Sequence, residues 1–132
     1  MARVLLYNFT DEAKRKKIKA ILFRFAVPSR EIPPACQGLT LGALLEGAES
    51  GETGAEEPPF DGEMIVMHDL TARQFNGLLD EMKRQGIRVP MKAVVTEHNI
   101  GWTSARLYRE ISAEREALEG RTAPADKRAG ER

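Results

Sequence analysis

Val4-Leu5-Leu6-Tyr7-Asn8-Phe9-Thr10 and Met64-Ile65-Val66-Met67-His68-Asp69-Leu70-Thr71 are two versions of one passage. In each, an apolar strand runs into an apolar residue and a threonine, and a helical pattern follows. The two threonines stand 71 − 10 = 61 positions apart. Each helix leads to a second short strand, so the chain reads βαβ–βαβ. Both long strands are apolar at odd and even positions, which suits burial on both faces.

The first helix is expected over residues 11–26, with Ile18, Ile21, Leu22 and Phe25 in one stripe and Pro28 as its stop. Arg30-Glu31-Ile32 forms the short strand after it. The second helix starts at Thr71 and carries Phe75, Leu78, Leu79 and Met82 in the same spacing, with Gly86 as a C-cap signal. Met91-Lys92-Ala93-Val94-Val95-Thr96 is the last strand, and a third helix begins near Thr103 and ends at Gly120. The helix starts share a device: Phe9-Thr10, Leu70-Thr71 and Trp102-Thr103 each place a large apolar residue before an N-cap threonine. Thr71 and Gln74 form a capping box, with Leu70 stapled onto Phe75 and, in the third helix, Trp102 onto Leu107.

One α+β domain over 1–119 follows. It contains a long, partly mobile loop over 33–61, in which Leu39 to Leu45 docks as one helical turn. Residues 120–132 lack apolar anchors and read as a disordered tail. The element order matches the ferredoxin-like βαββαβ pattern, an antiparallel sheet with two helices on one face and an extra C-terminal helix. A doubly wound α/β sheet is the alternative. Right-handed crossovers put the two long strands side by side in the centre. Their second apolar face then requires cover, from the third helix and from a second subunit in a symmetric homodimer.

Composition narrows the function classes. Twenty basic and twenty acidic residues cancel, so no whole-molecule field draws the chain to nucleic acid or anionic membrane. Cys36 is the single cysteine, which excludes an internal disulfide and a multi-cysteine zinc site. No apolar run approaches the roughly 20 residues of a membrane span. With no secretory start, a cytoplasmic protein is the plain reading.

The best candidate site is the polar cluster Thr96-Glu97-His98-Asn99 at the last strand's end, beside the start of the third helix. Such junctions collect anions, because unpaired amides point there. Thr96, His98 and Asn99, with His68 at the end of the other central strand, are the candidate ligand-binding residues in the chain itself. Asn99-Ile100-Gly101 equally makes an ordinary turn, and His68-Asp69 an ordinary strand end. No catalytic residue, metal site or cofactor is indicated: Cys36, His68 and His98 lack ligand spacing. The basic run Lys14-Arg15-Lys16-Lys17 reads as a solvated helix face. RNA binding of the RRM kind is disfavoured because the second central strand lacks aromatics for base stacking.

The run Met91-Lys92-Ala93-Val94-Val95-Thr96, followed by Asn99, Trp102 and Leu107-Tyr108-Arg109-Glu110, resembles the C-terminal signature of an uncharacterised bacterial family, domain of unknown function 3783. Phe60, Glu63 to Met67 and the leucines of the second helix fit the same pattern. The first strand, Pro33-Pro34 and Leu41-Gly42-Ala43-Leu44 resemble its longer members. Where members often have Thr-Pro-Thr-Asn, this chain has Thr96-Glu97-His98-Asn99. The resemblance therefore puts any shared role on Lys92, Thr96, Asn99 and Trp102, and it implies no reaction. The leading expectation is a small non-enzymatic cytoplasmic module that docks a protein partner or responds to a ligand. The alternatives are a binder of a small anionic metabolite or an enzyme at the same pocket and, further off, an RNA- or ribosome-associated protein.

Overall fold

The computed structural model describes residues 1–48 and 59–122, with side chains to residue 118. The mobile stretch expected between Glu46 and Pro59 and the tail expected from 120 lie largely outside the described residues. Among the described residues four strands form one sheet: β1 (Arg3–Tyr7), β2 (Ser29–Ile32), β3 (Met64–His68) and β4 (Met91–Val94). The helices are α1 (Glu12–Arg24), α2 (Leu41–Leu45), α3 (Ala72–Arg84) and α4 (Ser104–Thr122), with a 3-10 turn at Pro34–Cys36. The last helix thus continues two residues past Gly120.

The sheet order is β2-β1-β3-β4. β1 pairs parallel with β2 and β3 parallel with β4, while the two central strands pair antiparallel, Leu5 opposite Val66. The domain is mixed α/β with the two long strands central. The antiparallel ferredoxin-like arrangement and the all-parallel doubly wound one are both replaced by a mixed sheet. The physical reason lies in the crossovers. Each helix returns its chain to the strand beside the one it left, so each βαβ unit is closed and leaves no gap for a strand of the other. β2 emerges at the same sheet end as β1, and β3 starts from that end, so it runs antiparallel to both.

A two-fold axis normal to the sheet relates the units. Crossovers of one hand then place both helices on one face. That face is packed by Ile18, Ile21 and Leu22 of α1 and by Leu78 and Met82 of α3 against Val4, Leu6, Ile65 and Met67. Gly77 allows the close approach, since a Cβ there would collide with the Phe25 ring. Glu81 of α3, buried at 7% exposure, accepts from Arg84 and Gln85 and lies 3.4 Å from Arg24 of α1. Those hydrogen bonds, from Gln85 and then Arg84, hold its carboxyl below the usual range.

The second face is equally dry. Leu5, Tyr7, Met64 and Val66 pack there under Leu39, Leu41 and Leu44 of the connection and Leu107 of α4. The cover that a second subunit was expected to help supply is present within the chain. Arg30 ties the connection down by donating to Leu44 O at 2.9 Å and Ala48 O at 2.5 Å, the last carbonyls around α2.

The duplication extends to backbone conformation. Asn8 and Asp69, ending the two central strands, both have positive φ, 64° and 59°. The helix ends match as well. Val27 N–H donates to Leu22 O and Ile87 N–H to Met82 O, the wide bond of a Schellman motif, with Ala26 (φ 58°) and Gly86 (φ 71°) left-handed. One detail departs from the expected register. Asp11, not Thr10, caps α1, accepting from Lys14 N at 3.2 Å. The first unit therefore carries one more residue between strand and helix, and the caps stand 71 − 11 = 60 apart. Thr71 with Gln74 forms the reciprocal capping box, and Thr103 Oγ1 accepts from Arg106 N, as the sequence indicates.

Ala26 bears a strain that Gly86 avoids. Ala26→Gly is expected to raise stability by about 0.5–1 kcal/mol, and Gly86→Ala to lower it by about 1 kcal/mol. Nothing lies within 4 Å of a Cβ built at Gly86, so that cost is conformational. Urea midpoints of the two variants check the pair, and equal midpoints would contradict it.

Candidate functional site

The loop after β4 is built by Thr96 and Asn99 acting on each other. Thr96 Oγ1 accepts from the backbone N–H of His98 and Asn99, both at 3.2 Å. Asn99 Oδ1 accepts from Thr96 N at 2.8 Å, and its Nδ2 donates to Val94 O at 3.1 Å. Asn99 is buried and its amide is spent on closing the turn. Trp102 N–H donates to Asn99 O at 2.9 Å, and α2 docks alongside through Leu41 N to Trp102 O and Gly42 N to Ile100 O. The His98 ring meets Trp102 edge-on at 5.3 Å, and the Arg106 guanidinium sits 4.2 Å over the Trp102 ring.

Four of the six candidate residues therefore meet in one turn, His68 ends the adjoining parallel strand at the same end of the sheet, and Lys92 lies apart. His68, at the end of β3, lines a small cavity of about 240 Å³ with Arg3, Gly42 and Ile100, and its Nδ1 is buried without a partner. Lys92 stands at the start of β4, opposite Ile65, so it turns to the α1/α3 face while Trp102 packs on the other. Strand geometry explains the split: neighbouring side chains alternate faces, and the loop begins only past the strand's far end.

Lys92 belongs instead to a second assembly at its own end of β4. There the connection from α3 to β4 meets α4 around a cleft of about 740 Å³. Leu79, Met82, Ile87, Val89 and Pro90 give it an apolar floor, and Lys83, Arg88, Lys92 and Arg115 surround it. Among the described lining residues four are basic and none is acidic. Lys92 Nζ donates to Val89 O at 3.1 Å, and Arg115 reaches over from α4 to Pro90 O at 2.7 Å. Lys83 lies in the last turn of α3, where the helix dipole favours a cation. Sequence spacing gave no hint of this cluster, because Arg115 comes from a helix packed on the opposite face.

Half of the basic run on α1, Lys14 and Arg15, is engaged in ion pairs, as is Lys19 beyond it. Lys14 meets Glu63 at 2.6 Å, Lys19 meets Glu31 at 2.8 Å, and Arg15 lies near Glu12 and Glu31. That pairing weakens it as a nucleic-acid surface. Also hidden from sequence reading was a buried polar strap. Gln37, 1% exposed, accepts from Phe60 N at 2.9 Å and donates to Asn8 Oδ1 at 3.4 Å. Asn8 Nδ2 in turn donates to Phe60 O and Gly62 O. The one signal was Asn8 itself, a lone amide in an apolar run with Asp69 at the matching place.

No group of three or more His, Cys, Asp or Glu side chains converges among the described residues as a metal would need. No helix among them is long and apolar enough to cross a membrane.

Fold and cleft together define a small mixed α/β domain of two fused βαβ units, with a basic cleft at the edge of the second. Residues 63–118, the second unit and most of α4, match the family described as Domain of unknown function (DUF3783). The first unit lies outside that match. No curated protein and no solved structure matches the chain.

Proposed function

We propose that this chain is a small non-enzymatic binding module that takes an anionic ligand in the cleft between α3, the start of β4 and α4. The observation that carries the reading is the lining: four cations over an apolar floor, with no acid among the described lining residues. Like charges gathered around a low-dielectric concavity focus a positive field, although the whole chain is neutral. The cleft's volume falls within the range of ordinary ligand sites. Of the residues indicated by the sequence, Lys92 belongs to the ligand set. Thr96 and Asn99 shape the turn, which supports the β4 edge from its other end.

Titration with glutarate and with pyrophosphate, followed by melting temperature, tests this. At about a hundred times its dissociation constant a bound anion adds about 2.7 kcal/mol of stability. The affinity is expected to fall as salt rises. It is also expected to weaken by about a hundredfold in the Lys83→Glu/Lys92→Glu double variant. Lys16→Ala, on the exposed face of α1, is expected to leave it unchanged. Neither anion stabilising the protein, or charge reversal without effect, would refute the reading.

A further inference from the structure

The cleft straddles the open edge of the sheet. Among the described residues β4 is an outermost strand, hydrogen-bonded to β3 alone. Val95 N–H donates inward to Met67 O at 2.9 Å, so the alternation of an extended chain turns the backbone groups of Lys92 and Val94 to the open side. Asn99 Nδ2 takes the Val94 carbonyl, which closes that end of the edge. The remaining edge, around Lys92, opens into the cleft. Cations flank it from both faces, Lys83 and Lys92 on the α1/α3 side and Arg115 from α4. Val94, 46% exposed, extends the apolar surface along the strand.

We propose that this edge receives an extended acidic segment of a partner protein, added to β4 as a fifth strand. The proposal rests on the reading of the cleft as an anion site and names the ligand's class. Charge complementarity selects the occupant. Lysine on an edge strand discourages pairing with neutral or basic chains, including further copies of β4. It does not discourage a strand whose side chains are carboxylates. Main-chain bonds to the Lys92 edge would give affinity, and the alternating side chains of the added strand would meet the apolar floor or the cations by turns.

The test uses the full chain and three probes: a blocked hexapeptide of alternating glutamate and valine, the same peptide with lysine for glutamate, and free glutarate. The acidic peptide is expected to bind about tenfold more tightly than glutarate. It is also expected to slow hydrogen exchange of the Lys92 and Val94 amides by about tenfold. Methylating alternate peptide nitrogens of the acidic probe is expected to abolish that protection. Glutarate and acidic peptide binding alike, with exchange unchanged, would overturn strand addition and leave the anion site standing. Equal binding of the lysine peptide would overturn the charge argument, no binding by any probe would overturn strand addition, and silence of pyrophosphate as well would overturn both readings.

Discussion

Gln37→Ala is expected to destabilise the domain by about 3 kcal/mol, part from an orphaned buried amide and part from lost packing. Gln37 is 1% exposed and belongs to no regular element, yet it holds three parts of the chain. Its Oε1 accepts from Phe60 N, its Nε2 reaches Asn8 Oδ1, and its backbone carbonyl accepts from Ala105 N at 3.3 Å. Through Phe60 it fixes an aromatic stack, with Tyr108 parallel at 4.3 Å and Tyr7 tilted at 5.5 Å. Tyr108 passes so close to the backbone that a Cβ at Gly62 would collide with its hydroxyl. Alanine at 37 leaves the Phe60 N–H without its acceptor and loosens the seat of α4. Asn8→Gly keeps the positive φ of that position while removing the bonds to Phe60 and Gly62. Chemical denaturation of the singles and the double is expected to show coupling, because both act on one strap. A Gln37→Ala cost below about 1 kcal/mol would mean that the strap is held elsewhere.

Alkaline instability is the second large effect, and it is expected to run through Tyr7. The phenol is fully buried and shares a 2.6 Å hydrogen bond with Ser104, itself 0% exposed. Burial raises its pKa far above the ordinary tyrosine value, while the Ser104 bond and the charge of Arg30 act in the opposite direction and less strongly. An unfolded chain releases the Tyr7 proton near pH 10, whereas the native protein keeps it. The stability is therefore fully present below about pH 10 and falls above it by about 1.4 kcal/mol per pH unit. Tyr7→Phe removes this slope. At neutral pH the same variant leaves Ser104 without its partner and costs about 1–2 kcal/mol. Stability curves of both proteins from pH 8 to 12 would separate the two contributions. Parallel curves above pH 10 would show that Tyr7 ionises as freely folded as unfolded.

The two effects mark where the sequence was readable. The apolar runs at Val4 and Met64, the stripes of α1 and α3, the capping box at Thr71 and the docking turn at Leu41 follow from periodicity and cap chemistry. Each depends on neighbours within a few residues, so each is written locally. The Thr10 cap was misplaced by one residue because Thr10 and Asp11 are both good caps, and the first unit's longer turn decides between them. The sheet order was out of reach for a deeper reason. A βαβ pattern specifies a parallel pair and a hand, but not whether the pair closes or leaves room for another strand.

The candidate site divides in the same way. The sequence brought out Thr96, His98, Asn99 and Trp102 as a group because they adjoin in the chain, and they do meet. Lys92 joins them only through the family resemblance, whereas the pleat sends it to the other face. His68 ends the neighbouring parallel strand and shares a small cavity with Ile100 of that turn.

By itself, then, the sequence determined two repeated units, their central strands, and a core dry on both faces, because hydrophobic periodicity is a local property. Tertiary structure alone decided that the units close before they join and that Gln37 straps the connection to α4. It also decided that Lys83, Arg88, Lys92 and Arg115 gather around one cleft. Those outcomes depend on contacts between residues far apart in the chain, and no short-range pattern encodes which distant surfaces will meet.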